Sequence, residues 1–227
     1  MVKFQAIILF IISFLEILLA GYVYFRNRKN LIGKVFSFFT FCVSFWVWPI
    51  GIVVFLNNQQ SIEFFTKLTW VGPIFMAPAL LLFSWIFPYK SIEIKLKHWL
   101  ILIFPVIVSM FFLYSSTCPI IDSIEMTVWR RVHFGPGIHI FNTLFVFYWI
   151  WAMVNFYQTY KASEGIHRWQ LKYLLIGIVV SSFFGILFDL IFPWFGVFMY
   201  DIFSVIGAIT SVIWLGFVSY ILFKKNI

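Results

Sequence analysis

Apolar runs of about 20 residues follow one another along the whole chain, separated by short polar segments. Because a helix of about 20 apolar residues crosses the hydrocarbon core of a bilayer, this pattern predicts seven transmembrane helices. The predicted spans are about residues 4–25, 34–56, 64–87, 98–114, 138–160, 170–192 and 198–223. The predicted fold class is all-α, a polytopic membrane protein whose single domain, residues 1–227, is a seven-transmembrane helix bundle. Residues 116–137 are the longest predicted loop.

The composition excludes a soluble domain. The chain is 63% hydrophobic and 11% charged, and its mean hydropathy is +1.00. The net charge of +8 comes from lysines and arginines in short loops, so it indicates topology and we expect no nucleic-acid partner. The first apolar run is about 22 residues long, and no A-x-A-like cleavage site precedes the basic residues 26–29. We therefore expect it to be a retained first helix.

The distribution of basic residues predicts the orientation. The loops on one side of the predicted spans carry twelve of the 16 lysines and arginines, and the other side carries Lys3, Lys67, Arg130 and Arg131. The positive-inside rule then places the N-terminus outside and the C-terminus in the cytoplasm. We expect a multi-pass protein of the cell (inner) membrane.

Three acidic residues lie in or beside the predicted spans. Glu16 is near the middle of helix one, whereas Asp189 and Asp201 are near the outer ends of helices six and seven. An ionisable group inside a span is costly, and it is by default a functional hypothesis. We expect Asp189 first, then Glu16 and Asp201, to bind a ligand or take part in signalling, with the two aspartates sharing one outward-facing pocket. The alternative is that each acid only caps a helix, hydrogen-bonds to a serine or tryptophan, or lies among headgroups.

Small residues recur along helices six and seven. Gly177, Ser181 and Gly185 are spaced four apart, and helix seven repeats the pattern with Ser204, Ala208 and Ser211. Such stripes let helix backbones approach closely in membranes. We expect helices six and seven to pack as a rigid pair that carries a change from the outer pocket to the cytoplasmic end. Tight packing without signalling is the alternative.

The sequence carries no signature of an enzyme. It has no H-E-x-x-H, P-loop, G-x-S-x-G or nucleotide-binding glycine pattern, so we expect no catalytic activity and no cofactor. His133 and His139 lie near Asp122 and Glu125, but their spacing matches no standard metal site, and we expect no metal there. Helix seven has no lysine in mid-span, so a retinal Schiff base is excluded.

Several short motifs resemble the seven-transmembrane N-terminal sensor region of bacterial membrane histidine kinases. They are the basic turn 26–30 with Trp46 in the following helix, Phe87-Pro88, Gly135-Pro136-Gly137, the run from His167 to Gly177, Asp189 with Pro193, and the segment from Tyr220 to Lys224. The resemblance covers nearly the whole chain.

This resemblance implies a membrane sensor module of a two-component system. Such a module would detect an extracellular or membrane-embedded signal and relay it to a cytoplasmic output, and residues 1–227 contain no phosphoacceptor histidine box or ATP lid of their own. The expected partners are the lipid bilayer and either a cytoplasmic signalling protein or a second copy as a homodimer. The alternatives are a small-solute or proton-coupled transporter with Glu16 and Asp189 as a relay, and a structural subunit without a ligand.

Overall fold

The computed structural model describes residues 2–88, 93–125, 132–185 and 203–223, and these residues are almost entirely helical. Seven helices and two short strands lie in these ranges. They are α1 (Val2–Arg26), α2 (Leu31–Val53), α3 (Gln59–Ile86), α4 (Leu96–Tyr114), β1 (Ile121–Ile124), β2 (Val132–Phe134), α5 (Gly137–Ala162), α6 (Gly165–Gly185) and α7 (Phe203–Phe223). Helices α1 to α5 are each long and apolar enough to cross a membrane. The all-α prediction is confirmed, with a two-stranded hairpin in addition.

Several helices begin earlier than the apolar pattern predicts, and two of these have a capping asparagine before the first turn. The side chain of Asn30 accepts a hydrogen bond from the backbone N–H of Ile32 (3.0 Å) and so caps α2. Asn58 caps α3 in the same way through the N–H of Gln60 (2.9 Å). Asparagine at this position satisfies backbone donors that have no partner inside the helix, so α2 can begin at Leu31 and α3 in polar sequence at Gln59.

The predicted loop 116–137 instead contains the β1–β2 hairpin. The strands pair antiparallel, with Ile124 opposite Val132 and Ile121 opposite Phe134. Ile121, Ile124 and Val132 are buried against the neighbouring ends of α3, α4 and α5, while Asp122 and Ser123 between them are exposed. Too few residues alternate here for the pattern to stand out in the sequence. The hairpin covers one end of the helices, which we call the hairpin end.

The glycines of the Gly135-Pro136-Gly137 motif fix the start of α5 against the chain before β1. The N–H of Gly137 donates to the carbonyl oxygen of Pro119 (3.0 Å), and the N–H of Gly135 donates to that of Ile120 (3.1 Å). A Cβ atom at either glycine would collide with the backbone of Cys118 or Pro119. This close approach requires glycine at both positions.

Six of the helices form a closed ring. Going round it, α1 packs on α2, α2 on α3, α3 on α5, α5 on α6, α6 on α7, and α7 on α1. Helix α4 lies outside this ring against α3 and α5. Its exposed face is apolar and consists of Leu100, Phe104, Ile107 and Phe111. This spacing of three and four residues is that of one helix face, and its apolar character suits contact with lipid.

The interior of the ring is filled mainly in the half opposite the hairpin. The largest cluster of buried side chains comes from the corresponding halves of the ring helices and includes Phe36, Phe39, Phe83, Phe156 and Leu215. A smaller cluster at the hairpin end joins α1, α2 and α7. Glu16 of α1 lies between the levels of these two clusters.

Candidate functional site

The buried face of α1 carries two polar side chains. Ser13 and Glu16 are 2% and 0% exposed, and with Ala20 they are spaced three and four residues apart. This spacing places all three on one face of the helix. The face is turned toward α2 and α7, whereas Phe14, Leu15 and Leu18 are exposed on the other side.

Helix α2 supplies a matching row of buried hydroxyl groups. The Oγ atoms of Ser13 and Ser44 are 2.8 Å apart, and Ser44 Oγ donates to the carbonyl oxygen of Ser13 (3.0 Å). Ser37 Oγ donates to the carbonyl oxygen of Ala20 (2.6 Å). These two contacts set the antiparallel register of the helices and place Thr40, which is fully buried, at the level of Glu16.

Helix α7 completes this region through one hydrogen bond. Ser211 Oγ donates to Glu16 Oε1 at 2.7 Å, joining residues 195 positions apart in the sequence. The same hydroxyl is 2.8 Å from the carbonyl oxygen of Ala208. The second carboxyl oxygen, Glu16 Oε2, is buried and has no hydrogen-bond partner among the described residues. The buried residues that make up this region, here called the polar seam, are Ser13, Glu16, Ser37, Thr40, Ser44 and Ser211.

The polar seam contains no basic side chain in the part of the chain that the structure describes. The one cation of α2, Lys34, is exposed in the first turn of the helix, far from the level of Glu16. The described part of α7 has no charged residue. The carboxyl group of Glu16 therefore meets hydroxyl groups and apolar side chains instead of an ion-pair partner.

Trp214 lies one turn beyond Ser211 on α7 and contacts two further helices. Its ring meets that of Phe39 on α2 edge to face, with 5.8 Å between the ring centroids. It also lies directly against Gly177 of α6, where a Cβ atom would collide with its Cδ1 and Nε1 atoms. The indole Nε1 is buried without a hydrogen-bond partner in the described ranges. Trp214 thus connects the polar seam to α6.

The small residues of α6 and α7 have different surroundings. Ser181 is half-buried, and its hydroxyl donates to the carbonyl oxygen of Ile178 within the same helix (3.2 Å). Ala208 is buried in the cluster that contains Leu9 and Ile12 of α1. One close approach of α6 to α7 is Gly177 against the large Trp214 ring.

The other predicted residues lie at the ends of the described parts of α6 and α7 or outside them. Gly185 ends α6 and Ser204 lies in the first turn of α7, where only the backbone is described. Asp189 and Asp201, with the outer pocket that they are expected to share, lie outside the described residues. Their role stays a prediction.

His133 and Glu125 form an exposed pair at the hairpin end. His133 Nε2 is 3.4 Å from Glu125 Oε1, and the two side chains are 46% and 51% exposed. An ion pair with this exposure contributes at most about 1 kcal/mol. Within the described ranges, no three such side chains come close enough to hold a metal ion.

The ring, the hairpin and the polar seam lie within a stretch that matches a known family. A model of the N-terminal seven-transmembrane region of histidine kinases matches residues 8–225. The chain belongs to this family. The match runs from the first turns of α1 to the end of α7, so it includes the whole polar seam, and the resemblance seen in the sequence is confirmed. In a histidine kinase this region is the non-catalytic input part. A comparison with curated proteins finds no match to the chain.

The sequence predicted Glu16 as a candidate site residue, but it did not predict most of the residues around Glu16. Residue type alone gives no reason to choose Ser13, Thr40, Ser44 or Trp214, and the sequence predicts Ser211 only as a member of the small-residue stripe of helix seven. One signal was present, because Ser37, Thr40 and Ser44 recur at helical spacing in α2 as Ser13 and Glu16 do in α1. Matching the two rows would have suggested a polar contact between the first two helices.

Proposed function

We propose that the chain is the input module of a membrane signalling system. It responds to a signal that arrives at the hairpin end or from within the bilayer, and it passes a helix displacement to a cytoplasmic output. Family membership supports the sensor role. The observation that supports the relay is the hydrogen bond from Ser211 to Glu16, because it ties the first helix of the region to the last.

The position of this bond suits a relay. In a histidine kinase whose N-terminal part is this region, the following domain is reached through the C-terminal end of the last helix, which is α7 here. A signal that changes the contact between Glu16 and Ser211 acts on α7 directly, and through Trp214 on α6 as well. Such a signal shifts an equilibrium between two helix arrangements by its differential affinity for them.

The free energy of this hydrogen bond sets the size of the expected shift in the equilibrium between the two helix arrangements. A hydrogen bond contributes about 0.5–1.5 kcal/mol when both groups are neutral and about 1.5–3 kcal/mol when one of them is charged. Since each 1.4 kcal/mol is a factor of ten in an equilibrium constant, gain or loss of this one bond changes the ratio of the two arrangements by about twofold to a hundredfold. This is sufficient for a graded output, although a complete switch from 1:99 to 99:1 needs about 5.5 kcal/mol.

The orientation is part of the proposal. We infer that the hairpin end faces outward and that the opposite end faces the cytoplasm, because exposed cations such as Arg26, Lys34, Lys161 and Lys172 gather at the opposite end. Lys161 Nζ also lies 4.6 Å from the centre of the Tyr157 ring there, within the range of a cation–π contact.

Cysteine labelling in intact cells tests this orientation. Ser123 on β1 and Glu164 in the turn before α6 are both exposed, at opposite ends of the bundle. In a background without Cys118, we expect Ser123→Cys to react with a membrane-impermeant maleimide in intact cells and Glu164→Cys to react only after lysis. The reverse pattern would contradict the orientation.

The relay is tested by a fusion of the whole chain to a histidine-kinase catalytic region whose output drives a reporter gene. We expect Ser211→Ala to change the reporter level by about tenfold, since it removes the bond between α1 and α7. Ser219→Ala is the matched control, because Ser219 is a buried serine of the same helix with no hydrogen-bond partner for its hydroxyl among the described residues. We expect less than a twofold change for this control.

An unchanged reporter level in a Ser211→Ala fusion that is folded and inserted would argue against the relay. The transporter alternative makes a different prediction, namely a flux in liposomes that depends on Glu16. It requires a polar path from Glu16 to the opposite end, and in the described residues Phe36, Phe39 and Leu215 are among the apolar side chains that fill this half of the ring.

A further inference from the structure

The charge of Glu16 needs a partner that the described side chains do not provide. An ionised carboxylate buried without compensation costs several kcal/mol or more, so buried charges are normally paired, bound to a metal ion or neutralised by a proton. The side chains of α2 and α7 near this level are hydroxyl-bearing or apolar. The titratable groups of these two helices in the described ranges are Lys34, which is exposed at the start of α2, Cys42, which lies in the large apolar cluster, and Tyr220, which is exposed near the end of α7. None of them supplies a positive charge beside the carboxyl group.

The hydrogen bonds around Ser211 point to one solution. A serine hydroxyl has one proton to donate, yet Ser211 Oγ has two acceptors in range, Glu16 Oε1 at 2.7 Å and the carbonyl oxygen of Ala208 at 2.8 Å. If a proton sits on Glu16 Oε1, the carboxyl group donates to Ser211 and Ser211 donates to Ala208. Both short contacts are then true hydrogen bonds.

The same atoms also match the preferences of a small metal cation. Glu16 Oε2 is a buried carboxyl oxygen without a partner in the described residues, and Ser211 Oγ lies beside the other oxygen of the same group. Carboxylate and hydroxyl oxygens are hard ligands, which suit a small cation with no preference for nitrogen or sulfur. A sodium ion at this position would neutralise the carboxylate as a proton does.

We propose that Glu16, together with Ser211, is a binding site for one neutralising monovalent cation, a proton or a sodium ion. The cation holds α1 against α7 by removing the charge that would otherwise be buried between them. Binding at this site stands on the surroundings of Glu16 alone. Its role as the signal that the module senses rests in addition on the proposed function.

The test measures the thermal unfolding of the purified full chain in lipid nanodiscs along two separate series. In the first, pH is raised at constant choline chloride without sodium. In the second, sodium chloride replaces choline chloride at one fixed alkaline pH. Proton binding predicts that the folded chain loses stability as pH rises, because the folded state then holds a proton that the unfolded state has released. Sodium binding predicts that the unfolding constant falls about tenfold for each tenfold rise in sodium above its dissociation constant.

Glu16→Gln is expected to abolish the dependence on whichever cation stabilises the wild-type chain, since glutamine is neutral and of nearly the same shape. Glu164→Gln removes an exposed acid at the opposite end and is expected to retain the dependence. A wild-type chain that responds to neither series, or a Glu16→Gln chain that responds as the wild type does, would overturn the proposal.

A second variant decides the matter if Glu16→Gln does not fold. Ser211→Ala keeps the acid and removes one of the oxygen atoms beside it, so the pH or sodium concentration at half effect is expected to move by about a factor of ten in cation concentration. The same concentration for Ser211→Ala as for Ser219→Ala would contradict the site. If unfolding depends on the cation but the reporter level does not change in the Ser211→Ala fusion, the cation site stands and the relay is disproved. If unfolding does not depend on either cation but the reporter level does change, the relay stands and the cation site is disproved.

Discussion

Replacing Gly72 with alanine is expected to destabilise the bundle by about 3 kcal/mol, which is the upper end of the usual range for overpacking. A Cβ atom at Gly72 of α3 would lie 2.7 Å from the backbone nitrogen of Trp46 and would also collide with the carbonyl oxygen of Cys42, both on α2. Since these are backbone atoms, no side-chain rotation can relieve the collision. The two helices must move apart along the interface that carries much of the large apolar cluster.

The measurement is the thermal unfolding midpoint of Gly72→Ala in detergent or nanodiscs. Gly21→Ala on α1 and Gly216→Ala on α7 are matched controls, because no atom of the described residues outside the local helix lies within 4 Å of a Cβ atom at either position. Alanine is the better helix former by about 1 kcal/mol, so the controls are expected to be neutral or slightly stabilised. If Gly72→Ala unfolds at the temperature of the controls, α2 and α3 are not in backbone contact at this position.

Gly177→Ala is expected to cost about 2 kcal/mol, and the cost should disappear when Trp214 is replaced by leucine. The added methyl group would occupy the position of the Cδ1 and Nε1 atoms of the Trp214 ring on α7, next to the Cγ atom through which the ring is attached. The ring is also held by Phe39 of α2 and therefore has little freedom to turn away. The strain falls on the contact between α6 and α7.

A double-mutant cycle measures this coupling. Unfolding of Gly177→Ala, Trp214→Leu and the double variant should give a coupling energy of about 1–3 kcal/mol, as expected for residues in direct contact. Gly216→Ala, combined with Trp214→Leu, is the control pair and should be additive because Gly216 has free space around it. Additive effects at Gly177 and Trp214 would show that this contact does not hold α6 to α7.

The candidate site shows how far sequence reasoning reaches. A single acid in the middle of an apolar span is visible in any reading of the chain, so Glu16 could be named without a structure. Its partner could not, because Ser211 lies 195 positions away and serines are common in spans. Asp189 is the first expectation from the sequence, ahead of Glu16 and Asp201, and both aspartates lie outside the described residues.

Some of the secondary-structure elements could likewise be predicted from the sequence, and others could not. Long apolar runs indicate the helices, whereas the caps at Asn30 and Asn58 set the starts of α2 and α3 ahead of the predicted spans. The hairpin could not be predicted, because strands of four and three residues are too short for an alternation of buried and exposed positions to be recognised in the sequence.

The sequence by itself determined that this chain forms apolar helices in a membrane, that it resembles the input region of histidine kinases, and that one of its acids is buried in a span. Only the tertiary structure decided that α7 returns to α1, that Glu16 meets Ser211, and that Gly177 faces Trp214. The physical reason is that helical periodicity tells which residues share a face but not which helix covers it. In a bilayer, lipid is as apolar as a neighbouring helix, so hydrophobicity does not separate the two, and the choice falls to packing and to a few polar contacts.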